Sequence, residues 1–153
     1  MSKVLIVCIG NSLVGDDALG YKVYERLQTG SLLAGGRTVF LELSGMQILD
    51  FLNGDDLLVI VDAVQFGDPP GTVHVRDLAD IPQAEGNPIT SHHMGLREAL
   101  SLGTLLYPEK MPRRTVLVGV EGLCFDQIGV PLTPQVEAAI DEVIVEIRNL
   151  ILN

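Results

Sequence analysis

Residues Val4–Gly20 read VLIVCIGNSLVGDDALG, and the join between the two halves of this stretch decides the fold class. VLIVCI is a continuous apolar run closed by glycine, the pattern of a strand covered on both faces. From Asp16 onward Leu19, Val23 and Leu27 recur every four residues until Gly30, which predicts an amphipathic helix. A strand that ends in glycine and opens a helix is a common phosphate site, because free N–H groups and the helix dipole attract anions. Here the glycines fall at 10, 15 and 20 and no lysine follows Gly15. That spacing fits neither G-x-G-x-x-G nor a P-loop. Asp16 and Asp17 already place negative charge at the helix start and would repel a phosphate.

The rest of the chain continues the alternation. TVFLEL (38–43) and LLVIVDAV (57–64) read as further strands, and GTVHVRDL (71–78) alternates like an edge strand. RTVLVGVEG (114–122) is another strand. SGMQIL (44–49) carries a capping box, Ser44 with Gln47, flanked by the staple pair Leu43 and Ile48. SHHMGLREALSL predicts a helix from Ser91. LTPQVEAAIDEVIVEIRNLI predicts a closing helix with Thr133 as cap, Pro134 at its first position and a stripe of Val136, Ile140, Val143, Ile147 and Leu150. Strands alternating with helices imply a three-layer α/β/α fold around a mostly parallel, twisted sheet. One domain is expected over residues 1–153, and DIPQAEGNPITS (80–91) reads as a mobile loop within it.

Composition narrows the partners. With 47% hydrophobic residues and a mean hydropathy of +0.34 the chain has ample material for a core. A net charge of −10 argues against nucleic acid and anionic membranes as partners and permits a cation. Cys8 and Cys124, far apart in the chain, form no disulfide framework or zinc pair. The first apolar run is too short for a signal peptide, and no run approaches the ~18 apolar residues of a bilayer span. A soluble cytoplasmic domain is expected. The apolar stripe of the last helix is that of a core-facing element, so a monomer is the default.

Three segments hold candidate ligands. At the first helix one aspartate suffices as a cap and Asp16 is the better placed, which leaves Asp17 as a carboxylate at the mouth of the sheet. Asp62 interrupts the apolar LLVIV at a strand end. It reads either as a turn-forming aspartate or as a ligand, since a buried anion needs a partner. In a sheet of 2-1-3 order these two acids converge, at the crevice outside the carboxyl ends of the strands. His92 falls in the first turn of its helix on the face of Leu96, where the dipole keeps imidazole neutral, whereas His93 shares the solvent side with Arg97. His74, alternating outward in TVHVR, reads as structural or surface. Two carboxylates and one imidazole suit a borderline divalent ion such as nickel or zinc.

The succession GNSLVGDDALG, VIVDAV, SHHMGL, VGVEG and the LTPQVEAAI helix resembles the hydrogenase maturation proteases, over nearly the whole chain from Val4 to about Ile147. The resemblance implies a five-stranded α/β domain and an endopeptidase that trims the C-terminal tail of a nickel-iron hydrogenase large-subunit precursor. It implies that Asp17, Asp62 and His92 are the catalytic and metal-binding residues. The nickel is implied to be carried by the precursor and read by the enzyme. Many family members carry glutamate where Asp17 stands, and the ELSGM turn (42–46) is tighter than the family's glycine-rich one. Two other readings are a maturation chaperone that binds the same precursor without cutting and a flavodoxin-like small-molecule domain.

Overall fold

The computed structural model of the protein describes residues 3–30, 36–42, 45–81 and 91–153, and for residues 91–94 the backbone alone. In chain order come β1 (Val4–Gly10), α1 (Leu19–Thr29), β2 (Gly36–Glu42), β3 (Leu57–Val64), β4 (Val73–Asp77), α2 (Ser91–Leu106), β5 (Arg114–Glu121) and α3 (Pro134–Leu152). Single 3-10 segments stand at Gly15–Ala18 and Gly45–Asp50, before α1 and before β3. Among the described residues the strands form one sheet in the order β2-β1-β3-β5-β4. All pairings are parallel except β4 with β5. The expected α/β sheet and its 2-1-3 start are therefore present.

β1 and β3 are buried along their whole length, which is why both read as unbroken apolar runs. Side-chain alternation divides the core between the two faces. Val59, Val61 and Ala63 of β3 pack with Leu19 and Val23 of α1 and with Val136, Ile140, Val143 and Ile147 of α3. Leu58, Ile60 and Val64 pack on the other face with Leu96 and Ala99 of α2 and with Ile48. These two clusters give the three layers.

Several local expectations change. Gly45–Asp50 is a 3-10 segment rather than an α-helix. The proposed cap and staple at Leu43 and Ser44, and residues 82–90 of the connector, lie outside the described residues. Thr133 occupies the N-cap position of α3 but makes no capping bond with its side chain. Its hydroxyl is instead bonded to Asp16. Arg97 is half-buried rather than on the solvent side: it donates to the Ile81 carbonyl at 2.7 Å, and burial lowers the pKa of its guanidinium.

Candidate active site

The site is built where β1 hands over to α1. A Cβ on Gly10 would lie 2.2 Å from the Asp17 carbonyl oxygen, and one on Gly20 would lie 2.2 Å from the Ile9 carbonyl oxygen. The two glycines thus let the 3-10 turn and α1 close directly onto the end of β1, where any larger residue would hold them apart. The Asn11 N–H donates to the Asp17 carbonyl at 3.1 Å and fixes the turn. This is the use of the glycines that resemble a phosphate loop.

Asp16 and Asp17 take different directions from this turn. Asp16 is fully buried but does not cap its own helix. Its carboxylate accepts the N–H groups of Leu123, Cys124 and Thr133 at 2.8, 3.0 and 2.8 Å, together with the Thr133 hydroxyl. In return the Asp16 N–H donates to the Cys124 carbonyl at 2.7 Å. The expected cap is a clamp between the β1–α1 junction and the β5–α3 loop.

Asp17 is also buried, at 9% exposure, and its turn packs against β3. Asp62 is fully buried near the carboxyl end of β3, and its Oδ1 accepts the Ala63 N–H at 2.8 Å. By alternation it shares the face of Leu58, Ile60 and Val64, the face that α2 covers. His92 lies in the first turn of α2, one helical turn before the buried Leu96; the side chains of His92 and His93 are outside the described residues. Asp17 and Asp62 therefore sit on adjoining elements at the carboxyl ends of β1 and β3, and α2, whose first turn carries His92, packs through Leu96 and Ala99 on the face of β3 that Asp62 shares. Cys8 offers no nucleophile there, because burial and then the nearby Asp62 charge push its thiol well above the ordinary value.

Leu13, Leu123 and Ile128 are exposed apolar residues beside this end of the sheet. They belong to loops joined by an antiparallel bridge between Val14 and Ile128 and by the Gly129 N–H bonded to the Leu13 carbonyl at 2.8 Å.

A family model described as HycI, hydrogenase maturation protease, matches residues 39–150. This chain belongs to the hydrogenase maturation protease family. It is 31% identical over 146 residues to the hydrogenase expression/formation protein HupD of Thiocapsa roseopersicina, matching 90% of this chain and 62% of that longer protein. It is 31% identical over 147 residues to the hydrogenase 2 maturation protease of Escherichia coli, matching 91% of this chain and 84% of the relative. The solved hydrogenase maturating endopeptidase HybD from E. coli superposes with a TM-score of 0.80 at 27% identity, covering 95% of this chain and 89% of the other. The [NiFe] hydrogenase maturation protease HybD from Thermococcus kodakarensis, at 23% identity and a TM-score of 0.82, shares the fold. The family expected from the motifs is the family found.

Sequence reasoning missed the structural company of His74. The ring is 6% exposed, not outward-facing. Its Nε2 lies 3.1 Å from Glu121 Oε1 and 3.3 Å from Asp68 Oδ2. Glu121 carried the same signal as Asp62, an acid closing an apolar strand, but only the register of β4 on β5 shows what it meets.

Proposed function

We propose that this member of the family is the endopeptidase that removes the C-terminal tail of a nickel-iron hydrogenase large-subunit precursor, and that Asp17, Asp62 and His92 engage nickel carried by that precursor. The observation that supports the reading is the burial of two carboxylates, Asp17 and Asp62, on adjoining elements at the carboxyl edge of the sheet. Buried anions at this place need a cation or donors, and the donor set of two carboxylates and one imidazole suits a borderline divalent ion. Nickel is here part of the substrate. Its positive charge would be attracted to these two carboxylates, so a precursor without it lacks that electrostatic reason to dock.

A nickel ion held by these residues would supply a Lewis acid to polarise the scissile carbonyl for attack by water. The chain's own contribution is to hold the ligands on rigid elements, with the Asp16 clamp fixing the adjoining loop. Leu13, Leu123 and Ile128 supply apolar surface for the precursor next to the site. A reducing cytoplasm is the compartment consistent with two free thiols, Cys8 and Cys124. No helix among the described residues is long and apolar enough to cross a membrane.

The test is cleavage of the matching precursor prepared with and without nickel, read by intact-mass spectrometry. Loss of a short C-terminal peptide from the nickel-loaded form alone is expected. Metal-dependent binding without any cleavage would overturn the protease reading in favour of a chaperone.

A further inference from the structure

A second group of ligating side chains stands apart from the residues assigned to nickel. His74 of β4 and Asp62 of β3 both face Gly119, on opposite sides of β5. With strands about 4.8 Å apart, the two residues are separated by roughly 10 Å along the sheet. One nitrogen, His74 Nε2, has two carboxylate oxygens against it, Glu121 Oε1 at 3.1 Å and Asp68 Oδ2 at 3.3 Å. The ligating atoms of all three residues lie within 4.8 Å of one another.

Ordinary hydrogen bonding does not account well for this arrangement. An imidazole nitrogen carries at most one hydrogen, so it serves one carboxylate with good geometry and leaves the second facing it poorly. Two anions drawn to a single nitrogen also repel each other, and one of them, Glu121, is buried. A divalent ion bonded to the nitrogen lone pair and both oxygens removes the conflict. Ligand atoms about 2.0–2.1 Å from a tetrahedral zinc are spaced about 3.3 Å apart, close to the separations of 3.1 and 3.3 Å seen here.

The surroundings hold these ligands in place. The Phe66 N–H donates to Glu121 Oε1 at 2.8 Å, and the Phe66 ring meets the His74 ring edge-to-face at 5.0 Å. Gly71 N–H donates to the Glu121 carbonyl, and the Glu121 N–H to Thr72, which laces the segment carrying Asp68 onto the end of β5. Such outer contacts are what orient ligands in metal sites. Asp68 is half-exposed and leaves a path from solvent.

We propose that Asp68, His74 and Glu121 form a second divalent-cation site for a borderline ion such as Zn2+, which clips the segment between β3 and β4 to β5. It is independent of the nickel reading. The experiment uses chelator-treated full-length protein with Asp17→Asn and Asp62→Asn, titrated with Co2+ as a visible-absorption probe and with Zn2+ by calorimetry. One equivalent bound is expected, with a Zn2+-dependent rise in thermal midpoint. Adding Asp68→Asn or His74→Gln is expected to weaken binding at least about a hundredfold, beyond the usual effect of an outer-shell change. Asp68→Asn alters a half-exposed side chain, so its loss of binding is not a folding failure if the metal-free thermal midpoint is kept. Absence of binding in the Asp17/Asp62 double variant, or undiminished binding after Asp68→Asn and His74→Gln, would overturn the site. Failure of the cleavage assay would not touch it.

Discussion

Thr133 presents both its backbone N–H and its hydroxyl to the carboxylate of Asp16, at 2.8 Å and 3.0–3.1 Å, across 117 positions of chain. The same carboxylate takes the N–H groups of Leu123 and Cys124. One buried anion therefore ties the start of α3 and the loop before it to the turn that carries Asp17.

Asp16→Asn keeps the shape and removes the charge that four donors share. A loss of about 2–4 kcal/mol is expected, since hydrogen bonds to a charged group are worth about 1.5–3 kcal/mol each and a buried donor left unmade adds to this. Thr133→Val keeps the N–H bond and is expected to lose about 1 kcal/mol. Urea denaturation checks both, as a fall in midpoint with unchanged slope.

Asp17→Asn, Asp62→Asn and His92→Ala are each expected to lower nickel-dependent processing at least about a hundredfold, the scale on which metal sites respond to ligand changes. Circular dichroism and thermal midpoint should stay near those of the parent. Wild-type cleavage by any one of them would remove that residue from the assignment.

Gly20→Ala places a methyl group against the Ile9 carbonyl, at 2.2 Å before relaxation. Overpacking of this kind costs about 1–3 kcal/mol. Because α1 must move away from β1 to make room, the turn bearing Asp17 moves too, and processing should fall even at temperatures where the variant is fully folded. A variant as stable and as active as the parent would show that this close approach is not needed.

Cys8 sets an alkaline limit. Its thiol is raised in the folded protein from the ordinary value of 9.0 by burial and by Asp62. The folded state therefore holds this proton more tightly than the unfolded one. The stabilisation is fully present below pH 9 and declines above it, at up to about 1.4 kcal/mol per pH unit. Denaturation series from pH 8 to 11 should show this slope in the parent and its loss in Cys8→Ala. A thiol reagent at pH 8 should modify the partly exposed Cys124 and spare Cys8 until the protein unfolds.

Much of the architecture was legible in local pattern. The unbroken runs at Val4–Ile9 and Leu57–Val61 mark strands covered on both faces, and β1 and β3 are the two strands buried throughout. The four-residue spacing of Leu19, Val23 and Leu27 gives α1, and the stripe from Val136 to Ile147 gives the buried face of α3. Asp62 announced itself by breaking an apolar strand. Gly45–Asp50 was less legible, because a short apolar segment with a cap motif does not distinguish one 3-10 turn from the start of a longer helix.

The amino-acid sequence by itself determined the order of strands and helices, the buried faces of β1, β3, α1 and α3, and the family motifs around Asp17, Asp62 and His92. These depend on spacing within a few residues, which periodicity records. The tertiary structure alone decided what Asp16 holds and what His74 meets. Asp16 looks like a cap until the β5–α3 loop is folded over it. His74 looks outward-facing until antiparallel pairing sets it opposite Gly119, with Glu121 two residues further along the same face. Asp68 is near His74 in the chain, but Glu121 lies 47 residues from His74 and the partners of Asp16 lie 107 to 117 residues away, and no local pattern encodes the register that brings these together.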